Sequence, residues 1–168
     1  MGNNLTIRPA QDADVPALAG LLNEIIARGG TTAYERPFTT DDFANAMLTG
    51  PEVICSFVAD DRVSGLVGFQ AVVRSAYVSK DVGDIATFSR IGWVQQGIGS
   101  LLFAATREAA AAKALSAINA TIRADNVGGL AFYTRLGFTN HSIHRAIPLS
   151  NGTPVDRINK RFALTVSG

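Results

Sequence analysis

Residues 82–124 constrain the fold most, because they place a strand, a glycine-rich turn, a long helix and a second strand in immediate succession. An apolar stretch covers about 82–89, and residues 118–124 alternate between apolar and polar, as in a strand with one buried face. Between them, residues 98–113 have helical periodicity, with one apolar face made of Ile98, Leu101, Leu102, Ala105, Ala109 and Ala112. A helix between two strands predicts a crossover that joins parallel strands.

The rest of the chain predicts two hairpins and three further helices. Strands are expected at 5–8, 53–59 and 63–74, with Asp60-Asp61 between the last two, and in two final runs about the Asn151-Gly152 turn. Helices are expected from Asp12 or Asp14 to Gly29, from Thr39 or Thr40 to Gly50, and over 126–136. The order β-α-α-β-β-β-α-β-α-β-β predicts an α+β (mixed α/β) fold with a mostly antiparallel sheet, one βαβ crossover and helices on both faces.

Length and composition narrow the class of protein further. The 168 residues predict a single domain over 1–168, and 47% hydrophobic with 17% charged residues excludes a disordered chain. A net charge of +1 argues against a nucleic-acid-binding protein, and the lack of a long apolar run argues against a membrane-spanning helix. The N-terminal residues do not resemble a signal peptide, so we expect a cytoplasmic protein. The single cysteine, Cys55, supplies no metal cluster, and we expect no metal cofactor.

The glycine turn at residues 95–100 is the clearest candidate binding element. It lies between a strand and an amphipathic helix, where unpaired N–H groups and the helix dipole favour a phosphate or pyrophosphate. A Rossmann fingerprint would need a third glycine where Leu102 stands, and a P-loop would need a lysine after Gly99. The alternative is that Gly97 and Gly99 only tighten the turn.

The turn resembles the Q/R-x-x-G-x-G/A motif of the GNAT superfamily of N-acyltransferases. Three flanking segments are also similar to that family: TIRPAQDADVPAL at the start, DIATFS containing Asp84, and residues 126–138, which resemble the pattern N-x-x-A-x-x-F-Y-x-x-x-G-F. The chain departs from the motif at Val94, where the family carries Gln or Arg. The resemblance implies acetyl-CoA as cosubstrate and direct transfer of its acetyl group to an amine in a ternary complex.

The resemblance also implies roles for individual residues. The backbone at Phe88 and Ser89 would contact the pantetheine and the acetyl oxygen. The pyrophosphate would be held by Gln95, Gln96, Gly97, Ile98, Gly99 and Ser100. Asn126 would cap its helix or bind the pantetheine amide, and Tyr133 would contact the coenzyme and protonate the leaving sulfur as general acid.

Two carboxylates are candidates for the general base. Asp84 begins the central strand, where several family members carry a glutamate, and its shorter side chain suits a water relay. Glu24 on the first helix is the second candidate, or it would anchor the substrate ammonium. The alternative for either is a solvated or salt-bridged carboxylate. For a substrate carboxylate or the coenzyme's ribose phosphate, the candidates are Arg36, Arg74 and Arg90.

Residues 22–26 and 31–35 are similar to the phosphinothricin and methionine-sulfoximine acetyltransferase group. That similarity implies a homodimer and a small primary amine as acceptor, either an amino acid or an amino-acid analogue. Two other functions are compatible with the sequence: a non-catalytic acyl-CoA-binding sensor, which Val94 favours, and a protein or peptide N-acetyltransferase.

Overall fold

The computed structural model describes residues 4–94 and 96–164. Its strands are β1 (Leu5–Pro9), β2 (Val53–Asp61), β3 (Gly65–Val73), β4 (Val82–Ser89), β5 (Ala117–Arg123), β6 (Thr139–Pro148) and β7 (Pro154–Ala163). Its α-helices are α1 (Val15–Arg28), α2 (Thr40–Met47), α3 (Ile98–Ala112) and α4 (Val127–Leu136), and a 3-10 turn at Asp12–Asp14 precedes α1. The element order is the one that the sequence predicts.

The strands form one sheet in the order β1-β2-β3-β4-β5-β7-β6. Neighbouring strands are antiparallel at every pair in the described residues except β4 and β5, which are parallel and joined through α3. The structure therefore confirms the predicted α+β class, with a mostly antiparallel sheet and one βαβ crossover.

Helix ends follow the chemistry of their capping residues. The Thr39 hydroxyl accepts a hydrogen bond of 3.0 Å from the Asp42 amide at the start of α2. Gly29 ends α1 and Gly137 ends α4, both with positive φ, which glycine adopts without steric cost. Asp14, which precedes α1, has both carboxylate oxygens bonded to the Arg8 guanidinium at 2.8 and 2.9 Å. That contact ties β1 to the first helix.

Two hydrophobic layers cover the faces of the sheet. On one face, α1 and α2 pack on β2, β3 and β4, and the Phe69 and Phe88 rings stack with centroids 5.7 Å apart. On the other face, α3 packs on β2, β3 and β4, and α4 contacts β5. Phe103 of α3 and Tyr133 of α4 share a buried cluster there with Ile118 of β5. None of the described helices combines the length and apolar character needed to cross a membrane.

Two local predictions are wrong. Asp60 and Asp61 belong to β2 rather than to the turn after it. The Asp61 carboxylate accepts hydrogen bonds from the backbone amides of Val63 and Ser64, so the turn follows Asp61. In α3, Leu101 is 50% exposed, while Phe103 and Thr106 are buried. This helix carries alanine on several sides, so its apolar periodicity does not determine which face packs on the sheet.

Candidate functional site

The candidate site is a gap in the sheet between the parallel strands. Pairing of β4 with β5 extends only from Val82–Asp84 to Ala117–Asn119. From that last paired position onward, residues 84–89 of β4 and residues 121–123 of β5 line a cavity of about 1390 Å³. The β4 edge that faces β5 therefore has backbone N–H and C=O groups without strand partners beyond Asp84, and a ligand can bind them.

The N-terminus of α3 opens into this cavity. Gly97 stands at the helix N-cap with φ +78°, and Ile98, Gly99 and Ser100 of the first turn line the cavity. First-turn N–H groups have no partner within the helix, and together with the helix dipole they favour an anion. Gln96 is exposed and is not among the described residues that line the cavity, whereas Gln95 lies outside the described residues.

Gly99 has a packing role that the sequence did not indicate. A Cβ atom added at Gly99 would lie 2.5 Å from Cε2 of Phe132, so the first turn of α3 lies directly against α4. Gly97 is needed for its backbone conformation instead, since a Cβ there would meet no atom within 4 Å. The two glycines of the motif thus serve different purposes.

A chain of three polar side chains crosses the buried wall of the cavity. The Tyr133 hydroxyl lies 2.9 Å from Oγ1 of Thr87, and that same oxygen accepts a 2.9 Å hydrogen bond from Nε2 of Gln70. Gln70 is fully buried, and its Oε1 has no hydrogen-bond partner. These two hydrogen bonds fix the position of the Tyr133 phenol at the edge of the gap.

Tyr133 is a weaker acid here than a phenol in water. Burial raises its pKa to about 12, the Thr87 hydrogen bond acts in the opposite direction, and the negative charge of Asp84 adds to the increase. The ordinary pKa of a tyrosine phenol in water is about 10. At neutral pH the phenol therefore keeps its proton and is a hydrogen-bond donor.

Asp84 lies at the last paired position of β4, on the opposite face of the sheet from Tyr133. Its Oδ1 accepts a 3.0 Å hydrogen bond from Nδ2 of Asn119, whose Oδ1 accepts a 2.8 Å bond from Nε of Arg161. Burial raises the pKa of Asp84, and the bond from Asn119 and the charge of Arg161 partly offset this increase. A carboxylate with a raised pKa is a stronger base than one in water, which suits proton removal.

The structure separates the other predicted residues into two groups. Phe88, Ser89 and Asn126 line the cavity, whereas Glu24 is exposed and is not among its described lining residues. Ile25 lines the cavity, and α1 turns its neighbour Glu24 toward solvent, so the catalytic role of Glu24 stays a prediction without a contact to support it. Asn126 caps α4 through a 2.9 Å bond from the Gly129 amide, as predicted, and its binding to the pantetheine stays a prediction.

Residues 29–38, which we call the acceptor loop, cover one end of the gap. Both amide atoms of Asn23 bond the Phe38 backbone, at 2.9 and 2.7 Å. Arg123 donates to the Thr32 carbonyl at 3.2 Å. The remaining anchors are the bond from Asn126 Nδ2 to the Thr31 carbonyl and the bonds from Ser150 to the Glu35 carboxylate. The loop is thereby held to α1, to β5 and α4, and to the β6–β7 turn.

Tyr34 of the acceptor loop is a site residue that the sequence analysis did not select. It lines the cavity, its ring lies 6.4 Å from that of Phe88, and its pKa is raised by burial and then by the charge of Asp84. Its place in the loop sequence TTAYE was the available signal. Val94, the departure from the family motif, also lines the cavity and is 60% exposed.

Comparisons with known proteins agree with this geometry. The sequence model described as "Acetyltransferase (GNAT) family" matches residues 21–138. No curated protein sequence matches the chain at a significant level. Because the family model spans most of the chain, the protein belongs to the GNAT acetyltransferase family, and the predicted family and enzyme class are confirmed.

Three solved structures illustrate the similarity in fold. The protein yncA from Salmonella typhimurium, solved with acetyl-CoA, has 18% identity and a TM-score of 0.83 over 97% of this chain and 95% of its own. A phosphinothricin acetyltransferase from Sinorhizobium meliloti, in complex with acetyl-CoA, has 19% identity and a TM-score of 0.81 over 96% and 89%. A ribosomal-protein-alanine N-acetyltransferase from Brucella melitensis has 20% identity and a TM-score of 0.81 over 95% and 99%.

Proposed function

We propose that the whole 168-residue chain is one catalytic domain that transfers an acetyl group from acetyl-CoA to the primary amine of a small molecule, an amino acid or an amino-acid analogue. One observation carries the proposal. A single gap in the sheet brings together the free β4 edge, the N-terminus of α3, a protonated phenol at Tyr133 and a carboxylate of raised pKa at Asp84. The acetyl-CoA bound in the two solved neighbours supports this choice of cosubstrate.

The residues present fit the coenzyme. The first-turn N–H groups at Ile98, Gly99 and Ser100 would hold its pyrophosphate, and the β4 edge at Phe88 and Ser89 would bond the pantetheine amides. Gln95 and Gln96 remain in the proposed phosphate turn only through the family resemblance. When bound, the coenzyme supplies an acetyl thioester. A backbone N–H of β4 that has no strand partner would polarise its carbonyl.

Asp84 and Tyr133 divide the proton transfers between them. Asp84, through a water molecule, takes a proton from the acceptor ammonium, and the resulting amine forms its bond to the carbonyl carbon. As the carbon–sulfur bond breaks, Tyr133 donates its proton to the sulfur and regains one from solvent. The amide nitrogen loses its remaining extra proton to water, and Asp84 releases its proton to solvent. The net products are an acetylated amine, a thiol and one proton.

The test combines coenzyme binding with turnover. Saturating acetyl-CoA at about 100 times its Kd should stabilise the fold by roughly 2.7 kcal/mol in a thermal melt. Tyr133→Phe should lower kcat in a thiol-release assay at least tenfold, with coenzyme binding retained. Tyr77→Phe is the matched control because Tyr77 is 93% exposed, and it should not change kcat. No stabilisation by acetyl-CoA would refute the proposal, and an unchanged kcat in Tyr133→Phe would remove Tyr133 from it.

The same experiment separates the alternatives. The exposed Val94 in the coenzyme cavity favours a sensor, for which acetyl-CoA would bind and no amine or peptide would be acetylated. Faster acetylation of peptide N-termini than of free amines would favour the protein acetyltransferase. We also propose a homodimer, on the resemblance alone, and a cytoplasmic location, on the composition. Light scattering coupled to size exclusion measures the mass, and a monomer would contradict the dimer.

A further inference from the structure

Two polar side chains that the sequence analysis did not select lie beside Asp84. In the parallel pairing of β4 with β5, Asp84 is opposite Asn119, and in the antiparallel pairing of β5 with β7, Asn119 is opposite Arg161. Side chains at paired positions lie on the same face of a sheet. The three side chains therefore form a row across three strands, which begins at the cavity and leads away from it.

The hydrogen bonds of this row have only one possible direction. Nδ2 of Asn119 donates to Oδ1 of Asp84 at 3.0 Å, and Oδ1 of Asn119 accepts from Nε of Arg161 at 2.8 Å. An ionised carboxylate only accepts and a guanidinium only donates, so the amide of Asn119 fits between them in one orientation. Nδ2 of Asn119 also reaches Oγ1 of Thr121 at 3.2 Å, and Asn119 is 2% exposed. Asn119 is therefore held at both ends of its amide.

Arg161 brings a positive charge near Asp84 without touching it. It forms no ion pair with a described residue, and its charge acts on Asp84 across the Asn119 amide. An arginine in direct contact would lower the pKa of a carboxylate by about 1–3 pH units. Here burial has the largest effect and raises the pKa of Asp84, while the hydrogen bond from Asn119 and the charge of Arg161 only limit that increase. The interposed amide thus leaves Asp84 basic.

Only one oxygen of Asp84 is used in this row. Oδ1 accepts the bond from Asn119, whereas Oδ2 accepts no hydrogen bond from the described residues. Asp84 lines the cavity, so Oδ2 is the oxygen that a water molecule or an ammonium group there can reach. Asn119 and Arg161 are not among the described residues that line the cavity, so we expect them to act through Asp84 rather than on the acceptor. Also absent from that lining are the three arginines that the sequence analysis considered for an anion: Arg36, Arg74 and Arg90.

We propose, on the basis of the proposed function, that Asn119 and Arg161 are positioning residues for the base Asp84. Asn119 fixes Oδ1, which leaves Oδ2 free to face the acceptor, and Arg161 fixes Asn119. The two residues have separable effects, because Asn119 supplies position alone and Arg161 also supplies a charge. A glutamine in place of Arg161 still offers a donor to Asn119 but carries no charge, whereas a lysine offers both.

The other titratable groups that face Asp84 ionise in a different pH range. Burial raises the pKa of Tyr133 of α4 to about 12, and it also raises the pKa of Tyr34 of the acceptor loop above the ordinary value of about 10. Asp81, just before β4, shares the charge of Arg161, and its pKa is lowered mainly by hydrogen bonds from serine hydroxyl groups. None of these three groups therefore titrates together with a carboxyl group of raised pKa.

The remaining charges near the gap do not interfere either. Four further charged side chains line the cavity: Arg28, Arg123, Asp125 and Arg135. Arginines stay protonated throughout, and the hydrogen bond from Arg123 lowers the pKa of Asp125. The two histidines of the chain lie on β6, which β5 and β7 separate from β4. Activity lost at a pH above the pKa of an ordinary carboxyl group is therefore assigned to Asp84.

The test measures the pH dependence of kcat/KM by thiol release, with the standard amino acid that is acetylated fastest as acceptor. The acid limb is the low-pH part of this profile, where Asp84 becomes protonated and kcat/KM falls. The acceptor ammonium titrates in the same way with every variant, so differences between variants come from the protein.

Arg161→Gln removes a positive charge and so raises the pKa of Asp84, which should move the acid limb to higher pH. We expect kcat/KM to fall about 3- to 10-fold on that limb and to stay within about twofold of the native value on the plateau. Arg161→Lys keeps the charge and should keep the native limb. Arg62→Gln, in the exposed β2–β3 turn, is the control for the loss of one positive charge.

Asn119→Leu removes the hydrogen bond to Oδ1 with little change in size. It should lower kcat/KM at least about tenfold at every pH, while the KM for acetyl-CoA stays unchanged. Thermal melts show whether this variant folds, and the Arg161 variants decide the proposal by themselves if it does not.

A second measurement does not require turnover. The carboxyl carbon of Asp84 is followed by NMR in protein with isotope-labelled aspartate, and it is assigned by its absence in Asp84→Asn. It should titrate at higher pH in Arg161→Gln than in the native protein or in Arg161→Lys. A limb or a titration that is unchanged in Arg161→Gln, or that moves equally in Arg161→Lys or Arg62→Gln, would overturn the proposal. That result leaves the acetyltransferase proposal intact, whereas a lack of stabilisation by acetyl-CoA would refute the acetyltransferase itself.

Discussion

Thr87 should control how well Tyr133 donates its proton, although the sequence analysis assigned this residue no role. Its hydroxyl is the shared partner of Tyr133 and Gln70, each at 2.9 Å. Thr87→Val keeps the size of the side chain and removes that partner, which leaves Nε2 of Gln70 beside an Oε1 that already lacks one. Buried polar groups without partners cost about 1–3 kcal/mol each. We expect a loss of about 2 kcal/mol, or roughly 4–8 °C in Tm for a domain of this size.

The catalytic effect should be separable from this loss of stability. Without the Thr87 bond the phenol is no longer fixed, and its pKa rises further, since that bond lowers it. We expect kcat to fall about tenfold, equivalent to about 1.4 kcal/mol, with the KM for acetyl-CoA little changed. Thr87→Ser restores the oxygen and should restore kcat to within about threefold of the native value.

A double-mutant cycle completes the assay. If Thr87 acts through Tyr133, the variant Thr87→Val/Tyr133→Phe should be no slower than Tyr133→Phe alone. Rates are measured by thiol release well below the lowest Tm of the set, so that unfolding does not contribute. Multiplicative effects of the two substitutions, or a native kcat in Thr87→Val, would refute the reasoning.

Three further predictions concern stability and pH. Thr106→Val should leave Tm unchanged or raise it, because the buried Thr106 hydroxyl has no partner, and a fall in Tm would contradict this. Gly99→Ala should lower Tm by crowding Phe132, because the clash costs about 1–3 kcal/mol of stability. Gly20→Ala, where an added Cβ meets nothing within 4 Å, should raise Tm, because it stabilises the helix by about 0.5–1 kcal/mol; thermal melts of both variants test the contrast. Asp84→Asn should lower kcat/KM about 100-fold. Because the pKa of Asp84 is higher in the native state than in the unfolded state, the native protein loses stability as the pH rises from 3.8 through the native pKa. Asparagine does not titrate, so this variant should have a higher Tm than the native protein at pH 7, but not below pH 3.8.

Local patterns predicted most of the secondary structure. The Thr39 cap and the glycine stops at Gly29 and Gly137 depend on residues within one turn of each other, and the structure has all three. The predicted buried face of α3 was wrong, because the face that packs on the sheet depends on which side chains of the distant strands β2 and β3 fill the space beneath the helix. An alanine-rich segment encodes little of that choice.

The site was predictable where a motif is local, and not where it depends on strand pairing. Asp84, the turn at 97–100 and Tyr133 line one cavity, as the motif spacing implied. The contact between Thr121, which lines the cavity, and Asn159 was not predicted, because it forms only through the pairing of β7 with β5. That pairing joins segments separated by a helix and a whole strand, and no local periodicity encodes it.

The short pairing between β4 and β5 has a mechanical consequence. Strands β1–β4 and strands β5–β7–β6 are joined within the sheet by the pairing of three residues on each side, from Val82–Asp84 to Ala117–Asn119. A molecule that bonds the free edge of β4 and also contacts β5 replaces some of the hydrogen bonds that a longer pairing of these two strands would make. We therefore expect the protein to be stiffer between its two halves when the gap is occupied, and the sheet to loosen when a bound molecule leaves.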